Sequence, residues 1–179
     1  MTADPGTDLG ARFDTLYSRH FSALLAYSIR RVAHREDAAD VVAEVFLVVW
    51  RRVDEVPDEP STLPWLYGVA GNVLNNHVRG SRRRAALTGR LREALSRQPA
   101  AGNDPPDVVG NVPRGLSLLS ATDREILQLS LWEELSPADI ATTLGLRPGV
   151  VRNRLHRART RLRTILVELE FLDSGEHRR

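Results

Sequence analysis

The chain has 179 residues, 42% of them hydrophobic, and a formal net charge of +2, so it can form one compact domain or two small ones around hydrophobic cores. The lack of cysteine excludes disulfides, thiol redox chemistry and cysteine zinc sites, and the five histidines form no spaced ligand pair, so we predict neither metal nor cofactor. With no apolar stretch near ~20 residues and no signal-peptide pattern, the sequence favours a cytoplasmic protein without a membrane span.

Charge is segregated along the chain. Residues 36–59 contain eight acids and two arginines, whereas residues 79–97 contain seven arginines and one glutamate. The pattern repeats with five acids and one arginine in residues 123–139, and seven arginines and no acid in residues 147–163. All 25 basic residues are arginine, whose planar guanidinium can make two parallel hydrogen bonds to phosphate or guanine. The basic stretches are therefore candidate nucleic-acid contacts.

The N-terminal half repeats apolar residues at helical spacing three times, which predicts a bundle of three or four helices over residues 12–84. The first stripe begins at Phe13, the second occupies about 37–53, and the third about 61–79 with Pro64 in its first turn. Residues 1–11 are predicted to be disordered.

The helical spacing of the apolar residues predicts whether several side chains of this bundle lie in the core or face outward. Four residues are predicted to lie in the core: Val41, Val45, Trp50 and Trp65. Tyr67 is predicted to face outward, where it could stack on bases. The loop Arg52–Thr62 is too rich in proline and acid to be helical throughout, and it either connects two helices or binds a ligand.

The second half begins after a proline-rich segment. Four prolines and two glycines between Ser96 and Pro113 predict a flexible linker over residues 85–112. A four-helix domain is predicted over residues 113–171, followed by a tail at 172–179. Its last three helices are expected at about 121–133, 137–144 and 148–171. Ser120 and Ser136 each precede an aspartate by three residues, a pattern typical of a helix N-cap. The predicted fold class is all-α: two small helical domains joined by an extended linker.

The stretch from Ser136 to Arg159 has the spacing of a helix-turn-helix. Gly145 is predicted to end one helix with positive φ and Pro148 to open the next, a turn that lets the second helix enter a major groove. A solvated basic face is the alternative. The predicted DNA-binding residues are Arg147, Arg152, Asn153, Arg154, His156, Arg157, Arg159 and Arg161. Arg147 and the first helical turns, including Arg154, are expected to meet base edges, whereas Arg157, Arg159 and Arg161 are expected to contact phosphates.

Two segments of the first half carry a family resemblance. One segment resembles the core-binding segment of bacterial sigma factors and reads EDAADVVAEVFLVVWRR. The other resembles their promoter-binding segment and reads LPWLYGVAGNVLNNHVRGSRRR. A third segment, in the second half, resembles the last sigma domain and reads LSATDREILQLSLWEELSPADIATTLGLRPGVVRNRLHRARTRLR. Together the three matches span most of residues 12–166. With only these two domains, the chain resembles the extracytoplasmic-function (ECF) group of the sigma-70 family.

The resemblance implies three kinds of partner. The helix at 37–53 would dock on the clamp helices of the largest catalytic subunit of core RNA polymerase through Asp40, Glu44 and Phe46, although Ala43 stands where the family usually has glutamine. The last domain would meet the flap of the second-largest subunit. Promoter DNA is the second partner, and an anti-sigma factor that covers both domains is the third.

The resemblance also implies how DNA is divided between the domains. The helix-turn-helix would bind the minus-thirty-five element, and the helix at 61–79 with its preceding loop would bind the melting minus-ten element and hold a flipped base. Gly71 and Asn76 depart from the family pattern on that helix. The implied minus-ten residues are Asp58, Ser61, Tyr67, Asn72, Asn75, Arg79, Arg82, Arg83 and Arg84. The last four alternatively form a solvated helix end.

The predicted function is therefore a transcription initiation factor that binds core RNA polymerase, directs it to specific promoters and assists melting. We see no nucleophile-base pair, phosphate loop or carboxylate dyad, so the chain is predicted not to be an enzyme. A free-standing dimeric helix-turn-helix regulator is the alternative, and it should bind a palindrome with half-sites one helical turn apart. A helical interaction module without DNA binding is a third possibility.

Overall fold

The computed structural model describes the backbone of residues 5–95 and 110–176 and the side chains of residues 9–80 and 110–171. This part of the chain is helical and contains no strand, which confirms the predicted all-α class. The helices are α1 Pro5–Ile29, α2 Arg35–Arg51, α3 Thr62–Leu95, α4 Asn111–Ser117, α5 Ala121–Leu131, α6 Pro137–Leu144 and α7 Pro148–Glu176. A single 3₁₀ turn, Val53–Glu55, follows α2. The chain divides into two compact units, Met1–Asn103 and Asp104–Arg179.

In the first unit, α1, α2 and α3 pack as a three-helix bundle. α2 buries Val41 and Val45 completely, as predicted, because these positions recur on one side of the helix. Leu24 of α1 and Leu66 of α3 are also fully buried, and both helices pack against α2. Burying an aliphatic side chain contributes about 1.5–3 kcal/mol, so this seam is the main source of stability in the unit.

Three aromatic assignments in this unit were wrong. Tyr67, predicted to face outward, is only 3% exposed and packs against the ring of Tyr27, with 4.8 Å between centroids. Trp65 is half-buried instead of fully enclosed, and Trp50 is 52% exposed. Trp50 lies in the last turn of α2, where its ring is nearly perpendicular to that of Phe13, at 5.0 Å between centroids. The helical period of the apolar residues shows which side of a helix faces the core, but not how far around the helix burial extends.

The helix ends differ from several predicted boundaries. α1 begins at Pro5, so residues 5–11 are helical and not disordered. α3 continues to Leu95, beyond the predicted domain boundary at 84, because residues 81–95 contain no proline and are rich in arginine, alanine and leucine. α7 likewise continues to Glu176, into the predicted tail. The central part of the predicted linker, residues 96–109, lies outside the described residues.

The second unit packs α4, α5 and α6 around α7. Ile126, Ile140 and Val151 are fully buried, one from each of the last three helices. α4 approaches α7 closely because Gly115 has no side chain: a Cβ there would lie 3.0 Å from Leu162 Cδ1. The unit thus has its own core, as expected for a domain that can fold alone.

Candidate nucleic-acid and partner interfaces

The turn between α6 and α7 is fixed by local backbone chemistry. Ser136 Oγ accepts a hydrogen bond from Asp139 N at 3.2 Å, and Asp139 Oδ2 accepts one from Ser136 N, forming a capping box. Gly145 has a φ of 63°, and Leu146 N donates to Ala141 O at 2.9 Å, which closes the α6 end. Pro148 then opens α7. The predicted helix-turn-helix caps are confirmed.

α7 buries one side and exposes the other. Val151, Leu155 and Ala158 face the core. Four polar residues lie on the opposite side and are exposed: Arg152, Asn153, His156 and Arg157. Their spacing places them within two adjacent turns of one helical face. A DNA groove could reach this face without displacing the core.

Two further arginines of α7 are engaged by α5. Arg154 Nη1 donates to Asp123 Oδ1 at 3.0 Å, and Arg159 Nη2 donates to Ser130 Oγ at 3.1 Å. Asp123 is itself oriented by the α5 cap, since its Oδ2 accepts from Ser120 Oγ at 2.7 Å and its N–H donates to the same hydroxyl. The helix α5 thus fixes α7 on both sides of the buried stripe.

The arginines of the second unit therefore fall into two groups. Arg154 is only partly exposed and is ion-paired with Asp123 of α5, although its own helix carries no acid between residues 147 and 163. Arg147, Arg152, Arg157 and Arg161 are exposed and make no ion pair within the described part of the chain. Cations without protein partners produce the local positive potential that attracts a polyanion.

The outer face of α2 combines acid with apolar surface. Asp40 and Glu44 are exposed, as a direct partner contact requires. Phe46 is only 4% exposed, and its ring lies 4.7 Å from that of Tyr17, so it lies beneath this face, and its role in polymerase binding stays a prediction. Leu47, which is 55% exposed, shares the face with Asp40 and Glu44 at helical spacing and was missed.

The face of α3 offers a second set of polar side chains. Ser61, Asn72, Asn75 and Arg79 are exposed there or at its start, as is Asp58 in the preceding loop. Tyr67 cannot stack on a base, because it is buried. The side chains of Arg82, Arg83 and Arg84 lie outside the described residues. Trp65, assigned to the core from the sequence, is instead partly exposed, with the Arg52 guanidinium 5.6 Å from its ring centroid.

The loop between α2 and α3 is polar and is fixed from several sides. Thr62 Oγ1 donates to Pro57 O at 2.8 Å, and Arg12 Nη2 donates to Val56 O at 2.6 Å. A cavity of about 210 Å³ lies between this loop and α1, and the side chain of His20 lines it. His20 is 5% exposed, and its burial lowers its pKa below the ordinary 6.5, against the opposing effect of Glu59.

Other kinds of site find no support within the described residues. No helix there is long and apolar enough to cross a membrane. In the same part of the chain, no three histidine, aspartate or glutamate side chains cluster as metal ligands would. The exposed features of the two units are a basic face on α7, a polar face on α3, and an acidic and apolar face on α2.

Family models of known proteins match both halves of the chain. The family described as Sigma-70 region 2 matches residues 16–84, and that described as Sigma-70, region 4 matches residues 111–162. ECF RNA polymerase sigma factor SigL of Mycobacterium tuberculosis is 32% identical over 160 residues, which cover 86% of this chain and 88% of that protein. A free-standing regulator would not need the region 2 segment, so the pair of matches favours the sigma-factor prediction.

Two solved structures share the fold. Sigma factor RpoE from Bartonella quintana, in complex with the anti-sigma factor NepR, has a TM-score of 0.59 and 22% identity, covering 86% of this chain and 96% of that one. CnrH, in complex with the cytosolic domain of CnrY, has a TM-score of 0.61 and 23% identity, covering 87% of this chain and 88% of that one. At these identities the similarity supports the architecture alone.

Proposed function

Since the chain belongs to the ECF group of the sigma-70 family of transcription initiation factors, we propose that its two units divide promoter recognition on core RNA polymerase. The observation that carries this proposal is the exposed cationic face of α7, whose Arg152 and Arg157 make no ion pair within the described residues, together with the polar face of α3 in the other unit. Two weak DNA contacts joined through a common partner act as one selective contact, because the second binding event becomes intramolecular.

The α7 face is proposed to read the minus-thirty-five element. Arg152, Asn153, His156 and Arg157 face away from the core and would meet base edges and nearby phosphates in the major groove. Arg147, which precedes α7, is assigned to base edges, as expected from the sequence, and Arg161 to a phosphate. Arg157, expected at a phosphate, joins the base-edge group because it shares the exposed face of Arg152 and Asn153. Arg154 and Arg159 are assigned to positioning α7, since α5 already engages their guanidinium groups.

The α3 face is proposed to hold the melted minus-ten element. Asn72 and Asn75 carry amides that can read base edges, and Arg79 can neutralise a phosphate. Ser61, Asp58 and the rest of the α2–α3 loop are assigned to capture of an extruded base, whose loss of stacking costs a few kcal/mol. Trp65 replaces the buried Tyr67 as the aromatic side chain available for stacking.

The polymerase contact is assigned to the outer face of α2. Asp40 and Glu44 would pair with basic groups of the clamp helices, and Leu47 and Trp50 supply the exposed apolar area beside them. Phe46 supports this face from beneath. The second unit is assigned to the flap of the second-largest subunit.

The remaining assignments follow from the family. We assign catalysis to the polymerase and none to this chain, and we place the chain in the cytoplasm, where the polymerase acts. An anti-sigma factor is proposed as the regulatory partner, because both structural relatives were solved in complexes, one of them with an anti-sigma factor. Such a partner would cover the α2 or α7 faces.

Run-off transcription with purified core polymerase and a library of randomised promoters tests the proposal. We expect transcripts only when the chain is added, from templates that share two short motifs separated by a fixed spacer. A protein that binds a palindromic site without polymerase and yields no transcripts would contradict the assignment and identify a free-standing regulator.

A further inference from the structure

The α2–α3 loop is attached to α1 through a basic side chain at the start of the bundle. Arg12 Nη2 donates to the carbonyl oxygen of Val56 at 2.6 Å and lies 3.4 Å from Asp58 Oδ1. The hydrogen bond joins two residues that lie 44 positions apart in the sequence. A charged donor on a main-chain carbonyl fixes the path of the loop directly, without depending on the rotamer of a second side chain.

A second attachment lies about two turns further along α1. Glu59 Oε1 lies 3.3 Å from His20 Nε2 and 3.6 Å from Arg19 Nη1. His20 Nε2 makes no aligned hydrogen bond within the described residues, so this contact is a loose one, and Arg19 and Glu59 are both substantially exposed. Screening by solvent weakens such pairs. Arg12 is therefore the stronger of the two attachments.

The two attachments also affect the charge of the loop. Asp58 and Glu59 carry negative charge on a segment proposed to face nucleic acid, where phosphates would repel them. Arg12 and Arg19 approach these carboxylates from the side of α1. The same guanidinium groups that fix the loop thus offset its acidic character.

We propose that Arg12, assisted by Arg19 and His20, is a positioning residue for promoter melting: it fixes the α2–α3 loop in its DNA-capturing conformation before DNA arrives. This inference rests on the proposed function of the loop. Ordering a loop at the moment of binding costs conformational entropy, whereas a loop already ordered in the free protein avoids that cost. Arg12 acts through the loop backbone and need not touch DNA.

Arg12→Met tests this role, because it keeps an apolar stem and removes the donor. In the reconstituted holoenzyme we expect the affinity for core polymerase and closed-complex formation to stay within about twofold of wild type. Open-complex formation, followed by permanganate reactivity of melted thymines, should fall about tenfold, the loss expected for one charged hydrogen bond. Arg12→Lys, which keeps one donor, should restore part of it. Arg35→Met, an exposed arginine on α2 outside the assigned interfaces, is the matched control.

Amide hydrogen exchange of residues 56–61 in the free full-length protein separates positioning from a direct DNA contact. Faster exchange in Arg12→Met, with a parallel loss of melting, supports the inference. Equal exchange, equal melting, or a uniform fall in core binding, closed complex and melting would overturn it. If Arg12→Met fails to fold, Glu59→Gln must show the same selective loss to a smaller degree. A wild-type holoenzyme that melts no promoter would instead refute the proposed function itself.

Discussion

The two DNA-facing elements of this protein are fixed in different ways. α7 is anchored by a buried apolar stripe that includes Val151 and Leu155, and arginine side chains only add contacts at its flanks. The α2–α3 loop buries little beyond Val53 and Val56, and its path depends on polar contacts from Arg12 and Thr62. An element anchored by a core is rigid, whereas one fixed by a few hydrogen bonds can be loosened by single substitutions.

The largest effect on this comparison should come from the core beneath α7. Ile140→Ala removes a fully buried side chain of α6 and should lower the free energy of unfolding of the second unit by about 2–5 kcal/mol. Urea denaturation measures the loss. Binding to minus-thirty-five DNA should weaken with it, while affinity for core polymerase through α2 changes less. Loss of both activities together would show that the units are not independent.

A smaller effect is expected from the outward arginines of α7. Arg157→Ala should weaken binding to the upstream element by about 1–3 kcal/mol without altering the unfolding midpoint, because the side chain is exposed and has no ion pair within the described residues. Titration of labelled duplexes at fixed salt measures this loss. An altered midpoint with unchanged DNA affinity would assign Arg157 to the fold instead.

The ion pair between Arg154 and Asp123 should behave differently from the outward arginines of α7. Arg154 and Asp123 are 40% and 29% exposed, so a double-mutant cycle of Arg154→Ala and Asp123→Ala should give a coupling of about 0.5–1 kcal/mol in the free energy of unfolding. Sequence preference on DNA should remain that of wild type in all three variants. A changed preference in Arg154→Ala alone would restore the assignment of this arginine to base reading.

The smallest effect on the free energy of unfolding is expected from protonation of His20, beside the α2–α3 loop, at acid pH. Burial lowers the pKa of His20 below 6.5, so the unfolded chain takes up this proton at a higher pH than the folded one. The stabilisation from neutral His20 is complete above pH 6.5 and is lost as the pH falls through the lowered pKa. We expect the difference in unfolding free energy between wild type and His20→Gln to shrink on acidification. A difference that grows would indicate that protonated His20 pairs strongly with Glu59.

The same contrast explains how much the sequence could predict. The helix-turn-helix caps at Ser136, Gly145 and Pro148 were correct because each is a local backbone requirement met by its own side chain or conformation. The pairing of Arg154 could not be predicted, since Asp123 lies 31 positions earlier and only the packing of α5 on α7 brings the two together.

Aromatic residues show the other limit of the sequence. Trp65 and Tyr67 stand two positions apart on α3, and either could belong to the stripe until Tyr27 of α1 is known to cover Tyr67. Phe46 matched the family motif, but a match cannot tell whether a side chain contacts a partner or supports the face from below. Burial decides that question, and burial depends on tertiary contacts.

The division of promoter recognition between the two units is tested most directly by repeating the promoter-library selection with Arg157→Ala in place of the wild-type chain. We expect the upstream motif to lose base preference at one or two adjacent positions, while the downstream motif and the spacer length stay unchanged. Equal loss in both motifs, or a single motif in the wild-type selection, would contradict it.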